Sequence, residues 1–260
     1  MSNTRGFCSM EWLKYQVGTR PLLKPLQWLR EAYELNKGSK KQSFAQHGED
    51  VFLIDLFKAH NYRGNYVDIG ANHPFIINNT YRLYKEYGWR GINIEPNKYL
   101  WKRLQYFRPG DVNLNIGIGS QTGKLLYYHL WPSVLSTFSP ESCMESLDEG
   151  KKLVDVYPVE IRDAMFLLQY LTAKDGTIAL DLLSVDTEGY ELEILKGIDF
   201  DKLRPKVILI ENAGHGLTDS ATLRRHLESA RYVLLKRIGC NDCYVDSGQS
   251  DLLAAGGLID

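Results

Sequence analysis

The stretch between Tyr66 and Asn97 constrains this chain more than any other. It opens Tyr66-Val-Asp-Ile-Gly-Ala-Asn72 and closes Gly88-Trp-Arg-Gly-Ile-Asn-Ile-Glu-Pro-Asn97. A short apolar run around Val67 and Ile69 stops abruptly at Gly70, and a loop with Asn72 and Pro74 follows. The pattern predicts a helix from about Thr80 to Tyr87, then a second apolar run, Ile92–Ile94, ending on Glu95. Strand, tight loop, helix and strand in that order make the βαβ unit of a parallel sheet.

A turn containing glycine lets backbone N–H groups approach a ligand, and an acid on the next strand tip takes two ribose hydroxyls. Glu95 follows Asp68 by somewhat more than the roughly 20 residues expected of such an acid. A dinucleotide fits poorly. Only Gly70 precedes Pro74 where that fingerprint needs three glycines, and Asp68 would face any phosphate. A cationic ligand without phosphate, such as S-adenosylmethionine with its sulfonium and ammonium groups, suits an acid there. The plainer reading is an ordinary α/β loop whose glycine only permits the turn.

Other motifs follow in order. They are Phe44-Ala-Gln-His-Gly-Glu-Asp50, Asn78-Asn-Thr80, Asn115-Ile-Gly-Ile118, Leu183-Ser-Val-Asp-Thr-Glu-Gly-Tyr-Glu191 and Arg204-Pro-Lys-Val-Ile-Leu-Ile-Glu211. With the two segments above, the chain resembles the FkbM family of S-adenosylmethionine-dependent methyltransferases across residues 43–246. The resemblance implies O-methyl transfer to a hydroxyl of a sugar, glycan or sugar-containing metabolite. It implies a doubly wound α/β fold, a seven-stranded Rossmann-like class I methyltransferase sheet whose last strand is antiparallel. It also implies a cofactor site that includes Asp68, Gly70, Ala71, Asn72, Glu95, Pro96 and Asp186. Gln46 would lie near the methionine portion, Asn79 and Thr80 beside the cofactor, and Asn115 near the adenine.

Two further strands carry acids. Leu182–Val185 delivers Asp186 and Glu188 to the carboxyl edge of the sheet, where open α/β sheets bind ligands. Val207–Ile210 ends in Glu211, with His215 shortly after. Asp186, Glu188, Glu211 and His215 are therefore candidate proton acceptors for an attacking hydroxyl. Asp186 and Glu211 are also candidate ligands for a divalent metal such as magnesium, although no metal-specific spacing is present. Glu188 and Glu191 equally suit simple capping of the helix that follows.

Around this core the readings are coarser. Residues 1–42, with Trp12, Leu22, Leu26, Trp28 and Leu29 at roughly helical spacing, suggest an N-terminal helical arm. Such an arm would pack on the core, on a second copy in a homo-oligomer, on a membrane surface, or as a lid. Residues 43–260 are expected to form the methyltransferase domain. Val112–Ile118 alternates as one strand, Val154–Ile161 as another, and Asp163–Ala173 suggests a helix. Between about 125 and 160 the periodicity weakens into a polar-aromatic stretch, Tyr127 to Ser139, where an acceptor-recognition insertion is expected. A capped helix is expected from Thr218, a hairpin from Tyr232–Ile238 and Tyr244–Asp246, and an edge strand at Leu252-Leu253.

The formal charge of −1 gives no electrostatic case for nucleic acid. No apolar run approaches the roughly 18 residues of a membrane span. The first residues lack a signal-peptide core, so a cytoplasmic location, peripheral to a membrane if the arm binds one, is expected. Cys240-Asn-Asp-Cys243 has half-site spacing for zinc but no second pair, and sits where a hairpin turn is expected. Two alternatives stand beside the methyltransferase: a catalytically silent module binding cofactor or glycan, and a nucleotide-dependent oxidoreductase.

Overall fold

The computed structural model describes residues 43–212 and 220–257. The expected N-terminal arm and the start of the helix expected from Thr218 lie outside them. Among the described residues ten strands form two sheets: β1 (Asn65–Ile69), β2 (Arg90–Ile94), β3 (Val112–Leu114), β4 (Gly117–Gly119), β5 (Gly123–Trp131), β6 (Lys152–Asp163), β7 (Leu182–Val185), β8 (Val207–Glu211), β9 (Tyr232–Ile238) and β10 (Asn241–Asp246).

The main sheet has the order β3-β2-β1-β7-β8-β10-β9. The first five of these pair in parallel, and β10 runs antiparallel to both β8 and β9. The seven strands agree with what the resemblance implies, and the antiparallel hairpin that closes the sheet agrees with the sequence pattern. The central strands are buried on both faces, as a parallel sheet covered by helices must be. Val67, Ile92, Leu183 and Ile208 enter one apolar core, while Tyr66, Leu182, Val207 and Leu209 enter the other. Sequence order reverses beside β1, so the tips of β1, β2, β7 and β8 open a crevice at one sheet edge.

Helices Glu49–Leu56 and Tyr81–Tyr87 frame β1 in the chain, and Lys98–Phe107 follows β2. Asn78 caps the second of these: its Oδ1 accepts from the amides of Tyr81 (2.7 Å) and Thr80 (3.1 Å). In the entry turn, Asp50 accepts from the Ser43 hydroxyl and the Phe44 amide. Glu49 accepts from the His47 amide and from Asn241 on β10. The hairpin of β9 and β10 turns through Gly239 and Cys240, as the spacing predicts.

Three expectations are corrected. Val112–Ile118 is not one strand. It breaks at Asn115, whose side-chain amide donates to the carbonyls of Glu95 and Pro96, and the chain passes from the main sheet to the other one. Leu252-Leu253 lies in a helix, Ser250–Ala255, and not in an edge strand, because Leu253 is buried against the apolar face that includes Val245. The segment after β6 is a 3-10 turn, Ala164–Leu167, and a single α-turn, Leu168–Leu171, shorter than the expected helix.

The stretch with weak periodicity is more regular than its pattern suggests. It contributes β5 and β6, which pair antiparallel along their length, and with β4 make a smaller sheet of order β4-β6-β5. Tyr127, Phe138, Val159 and Ile161 form its own small core.

Candidate active site

The crevice is built from the β1 turn outward. Gly70 has φ +82°, and a Cβ there would lie 1.8 Å from the Asp186 carbonyl oxygen. No side chain fits, so β1 and β7 meet because this residue is glycine. The Asp186 amide donates to the Ile69 carbonyl at 3.0 Å, fixing the two tips together. The amides of Gly70 and Ala71 donate to the Ile94 carbonyl (3.0 and 3.1 Å), which ties the same turn to β2.

Glu95 is held by backbone donors. It accepts from the Asn72 amide (2.6 Å) and the Asn97 amide (2.7 Å). Burial pushes its pKa up to about 7, against the pull of those two amides. Asp68, one layer deeper, accepts from the Thr80 hydroxyl at 2.7 Å. Burial raises its pKa too, with Arg108 opposing.

A cavity of about 280 Å³ lies over these groups. Of the residues singled out from sequence, Gln46, Asp68, Gly70, Ala71, Asn72, Asn79, Glu95, Pro96, Asp186, Glu188 and Glu211 line it. Thr80 and Asn115 stand behind the wall, the former bonded to Asp68 and the latter to the Glu95 and Pro96 carbonyls. His215 lies outside the described residues.

The acids after β7 and β8 converge. Asp186, Glu188 and Glu211 each offer an oxygen, and these oxygens lie within 4.8 Å of one another. Burial, then the neighbouring Glu211, raises the Asp186 pKa well above the usual carboxylate range. Burial followed by Asp186 pushes Glu188 to about 8, and burial followed by Glu188 pushes Glu211 to about 8. Like charges held this close resist ionising together. Three carboxylates are also a hard oxygen donor set, suited in chemistry to magnesium or calcium.

No side chain caps the helix Glu191–Lys196, and Glu191 instead braces the turn before it. Its carboxylate accepts from the Thr187 amide and hydroxyl (both 2.9 Å) and from the Gly189 amide (3.1 Å). That leaves Glu188 for the cavity. Its backbone is left-handed, φ +55°, which is costly for a residue with a side chain. Its carbonyl is gripped by the Thr137 hydroxyl at 2.9 Å.

The roof comes from the smaller sheet and its loop: Gly117, Ile118, Tyr127, Ser133–Ser136 and Phe138. The Phe138 ring packs 5.1 Å from Tyr127 and 6.1 Å from Tyr190, centroid to centroid. The sequence marks this stretch as a unit but not which of its side chains turn inward, since that depends on pairing with β4 and β6. It also marks Arg108 only as a helix end. In the fold Arg108 is fully buried behind Asp68. No signal in the sequence separates such an arginine from a surface one. Among the described residues, no lysine, arginine or histidine lines the cavity, whereas five carboxylates do.

A glycine-turned β1 tip, an acid on β2 and a seven-stranded sheet with one reversed strand together define a class I methyltransferase-type α/β fold. A family model, the methyltransferase FkbM domain, matches residues 68–234, so this chain belongs to the FkbM methyltransferase family. Solved structures to which the chain is similar include the methyltransferase FkbM from Methylobacillus flagellatus KT, at 19% identity and TM-score 0.44. That alignment covers 70% of this chain and 43% of the other, so the chain spans less than half the length of that structure. A TehB-like SAM-dependent methyltransferase from Corynebacterium glutamicum aligns at 11% identity over 85% of this chain and 99% of that one, TM-score 0.38. Phosphoethanolamine N-methyltransferase 1 of Haemonchus contortus, solved with phosphoethanolamine and S-adenosylhomocysteine, aligns at 12% identity over 86% and 45%, TM-score 0.34. No curated protein matches the chain significantly.

Proposed function

We propose that this methyltransferase moves the methyl group of S-adenosylmethionine to a hydroxyl of a sugar, glycan or sugar-containing metabolite. The observation that carries the cofactor is the makeup of the cavity wall: five carboxyl groups and, among the described residues, no basic side chain. Such a wall suits a sulfonium and an ammonium, whose arrival favours the ionised acids, and offers no cation to a pyrophosphate, which weighs against an oxidoreductase using a dinucleotide. Glu95 supplies the ribose acceptor, while Gln46 and Asp68 face the amino-acid end. Thr80 and Asn115 act from behind the wall.

The reaction is an in-line displacement. The acceptor oxygen forms a bond to the sulfonium methyl, the carbon–sulfur bond breaks, and S-adenosylhomocysteine leaves with the electron pair. The hydroxyl proton passes to one of the Asp186, Glu188 and Glu211 carboxylates, and a methyl ether results. The sulfonium is already activated, so the protein supplies alignment and a proton acceptor. The Tyr127–Phe138 roof offers aromatic faces and hydroxyls to the acceptor, which fits carbohydrate better than a bulky apolar group. An alternative role for the acids rests on their convergence within 4.8 Å: the three would hold a divalent ion, which would supply a Lewis acid to lower the pKa of the acceptor hydroxyl.

No helix of the described residues is long and apolar enough to cross a membrane. We place the reaction in the cytoplasm, with residues 1–42 as the candidate surface for oligomers or a membrane.

The test is transfer from methyl-labelled S-adenosylmethionine to a panel of free sugars, nucleotide sugars and glycans, with magnesium or with chelator, using wild type and Asp186→Ala. A labelled methyl ether lost in the variant, with cofactor still bound, supports the proposal. Cofactor binding with no transfer to any acceptor favours the silent module. Loss of transfer on chelation selects the metal reading.

A further inference from the structure

The charges behind Asp68 do not balance. Arg108 is fully buried, and Asp111 and Asp68 are 8% and 4% exposed. Arg108 pairs with Asp111 at 2.8 Å and is braced by the Tyr66 hydroxyl. Its other nitrogen donates to the Thr80 hydroxyl at 3.0 Å, and that hydroxyl in turn donates to the Asp68 carboxylate at 2.7 Å. With both acids ionised, two buried carboxylates share one guanidinium. Burying a charge without a partner is expensive. Of the two acids, only Asp68 reaches the cavity.

We propose that Arg108 and Thr80 are positioning residues for cofactor recognition, holding Asp68 as the oriented acceptor for the ammonium of the cofactor's amino-acid end, whose arrival neutralises this buried cluster. The inference rests on the S-adenosylmethionine reading above. Neither residue touches the cofactor. Thr80 is fully buried and lies outside the cavity wall, and it acts only through the carboxylate to which it donates. The Thr80 hydroxyl accepts from the guanidinium and has two acceptors in reach, Asp68 at 2.7 Å and the Asn78 Oδ1 at 3.2 Å; the shorter bond goes to Asp68 and holds its rotamer before the ligand arrives.

Two ligands separate this role from packing. S-adenosylhomocysteine and 5′-methylthioadenosine share adenosine and a thioether, but only the former has an ammonium group. Both are titrated calorimetrically into wild type, Thr80→Val and Thr80→Ser, with Arg108→Met added where it folds. Thr80→Val keeps the side-chain shape and removes the hydroxyl. It is expected to weaken S-adenosylhomocysteine by about tenfold or more, the scale of one hydrogen bond to a charged group, and to leave methylthioadenosine within about twofold. Thr80→Ser is expected to restore most of the loss. Equal losses for the two ligands, or no loss for either, overturn the proposal. Wild type that binds neither ligand overturns the cofactor reading itself, and this inference with it.

Discussion

The floor and the roof of the cavity are built on different principles. The floor comes from four strand tips, each within a short local motif: Asp68-Ile-Gly70, Glu95-Pro96, Asp186-Thr-Glu188 and Glu211. Backbone hydrogen bonds between neighbouring tips lock it. The roof is a small antiparallel sheet with its own core, leaning on the floor through Phe138 against Tyr190 and through Thr137 on the Glu188 carbonyl. On the proposed function the difference becomes a division of labour: the floor would serve cofactor and proton, and the roof the acceptor.

The hardest way to break that division is at the floor. Gly70→Ala puts a methyl 1.8 Å from the Asp186 carbonyl. It should abolish cofactor binding in calorimetry and lower the melting temperature. A variant that still binds S-adenosylhomocysteine normally would show that β1 and β7 are not locked. Next in size, Asp186→Asn should cut kcat by about 10²–10⁴, the range for losing a general base, in a steady-state assay with saturating acceptor. Cofactor affinity should fall far less.

The roof should respond differently. Leu135→Ala trims a cavity-lining side chain that is only half-buried. It should raise the acceptor KM by about 3–10-fold and leave cofactor affinity within about twofold, on the scale of losing a few methylene contacts. Equal effects on both ligands would merge floor and roof into one site.

The smallest expected effect is on stability, through Glu188 and Glu211. Burial and the neighbouring acids push Glu188 and Glu211 up to about 8 in the fold, above the ordinary 4.5. Their folded forms bind protons more tightly, so the ligand-free protein should gain stability as pH falls from about 9 toward 6. For the same reason Glu211→Gln should be more stable than wild type at pH 8.5, by on the order of 1–2 kcal/mol, and should converge with it at low pH. Melting curves across pH check the sign. A destabilised variant at pH 8.5 would mean that Glu211 is satisfied by something other than its acidic neighbours.

Legibility in the sequence follows the same division. The main sheet is legible because parallel strands buried on both faces appear as apolar runs, and each of those at the crevice ends in a glycine or an acid. Eleven of the candidate site residues reach the cavity because they sit on those strand tips or in loops beside them. The roof is harder to read because β5 and β6 are largely exposed on one side, which blurs their periodicity, and their pairing is non-local. Asn115 and Leu253 mislead for related reasons. Local alternation puts Asn115 in a strand, whereas its amide is satisfied by the distant Glu95 and Pro96 carbonyls. The Leu252-Leu253 pair fits an edge strand equally well until burial of Leu253 selects a helix. Arg108 and Thr80 show the deeper limit. Their meaning lies in a chain of contacts across 28 residues, which no local pattern records.

The central claim is that the acid-walled cavity receives S-adenosylmethionine, and calorimetric titration of the full chain with S-adenosylhomocysteine beside NAD tests it most directly. The account predicts saturable binding of S-adenosylhomocysteine and none of NAD. Binding of NAD alone would contradict it.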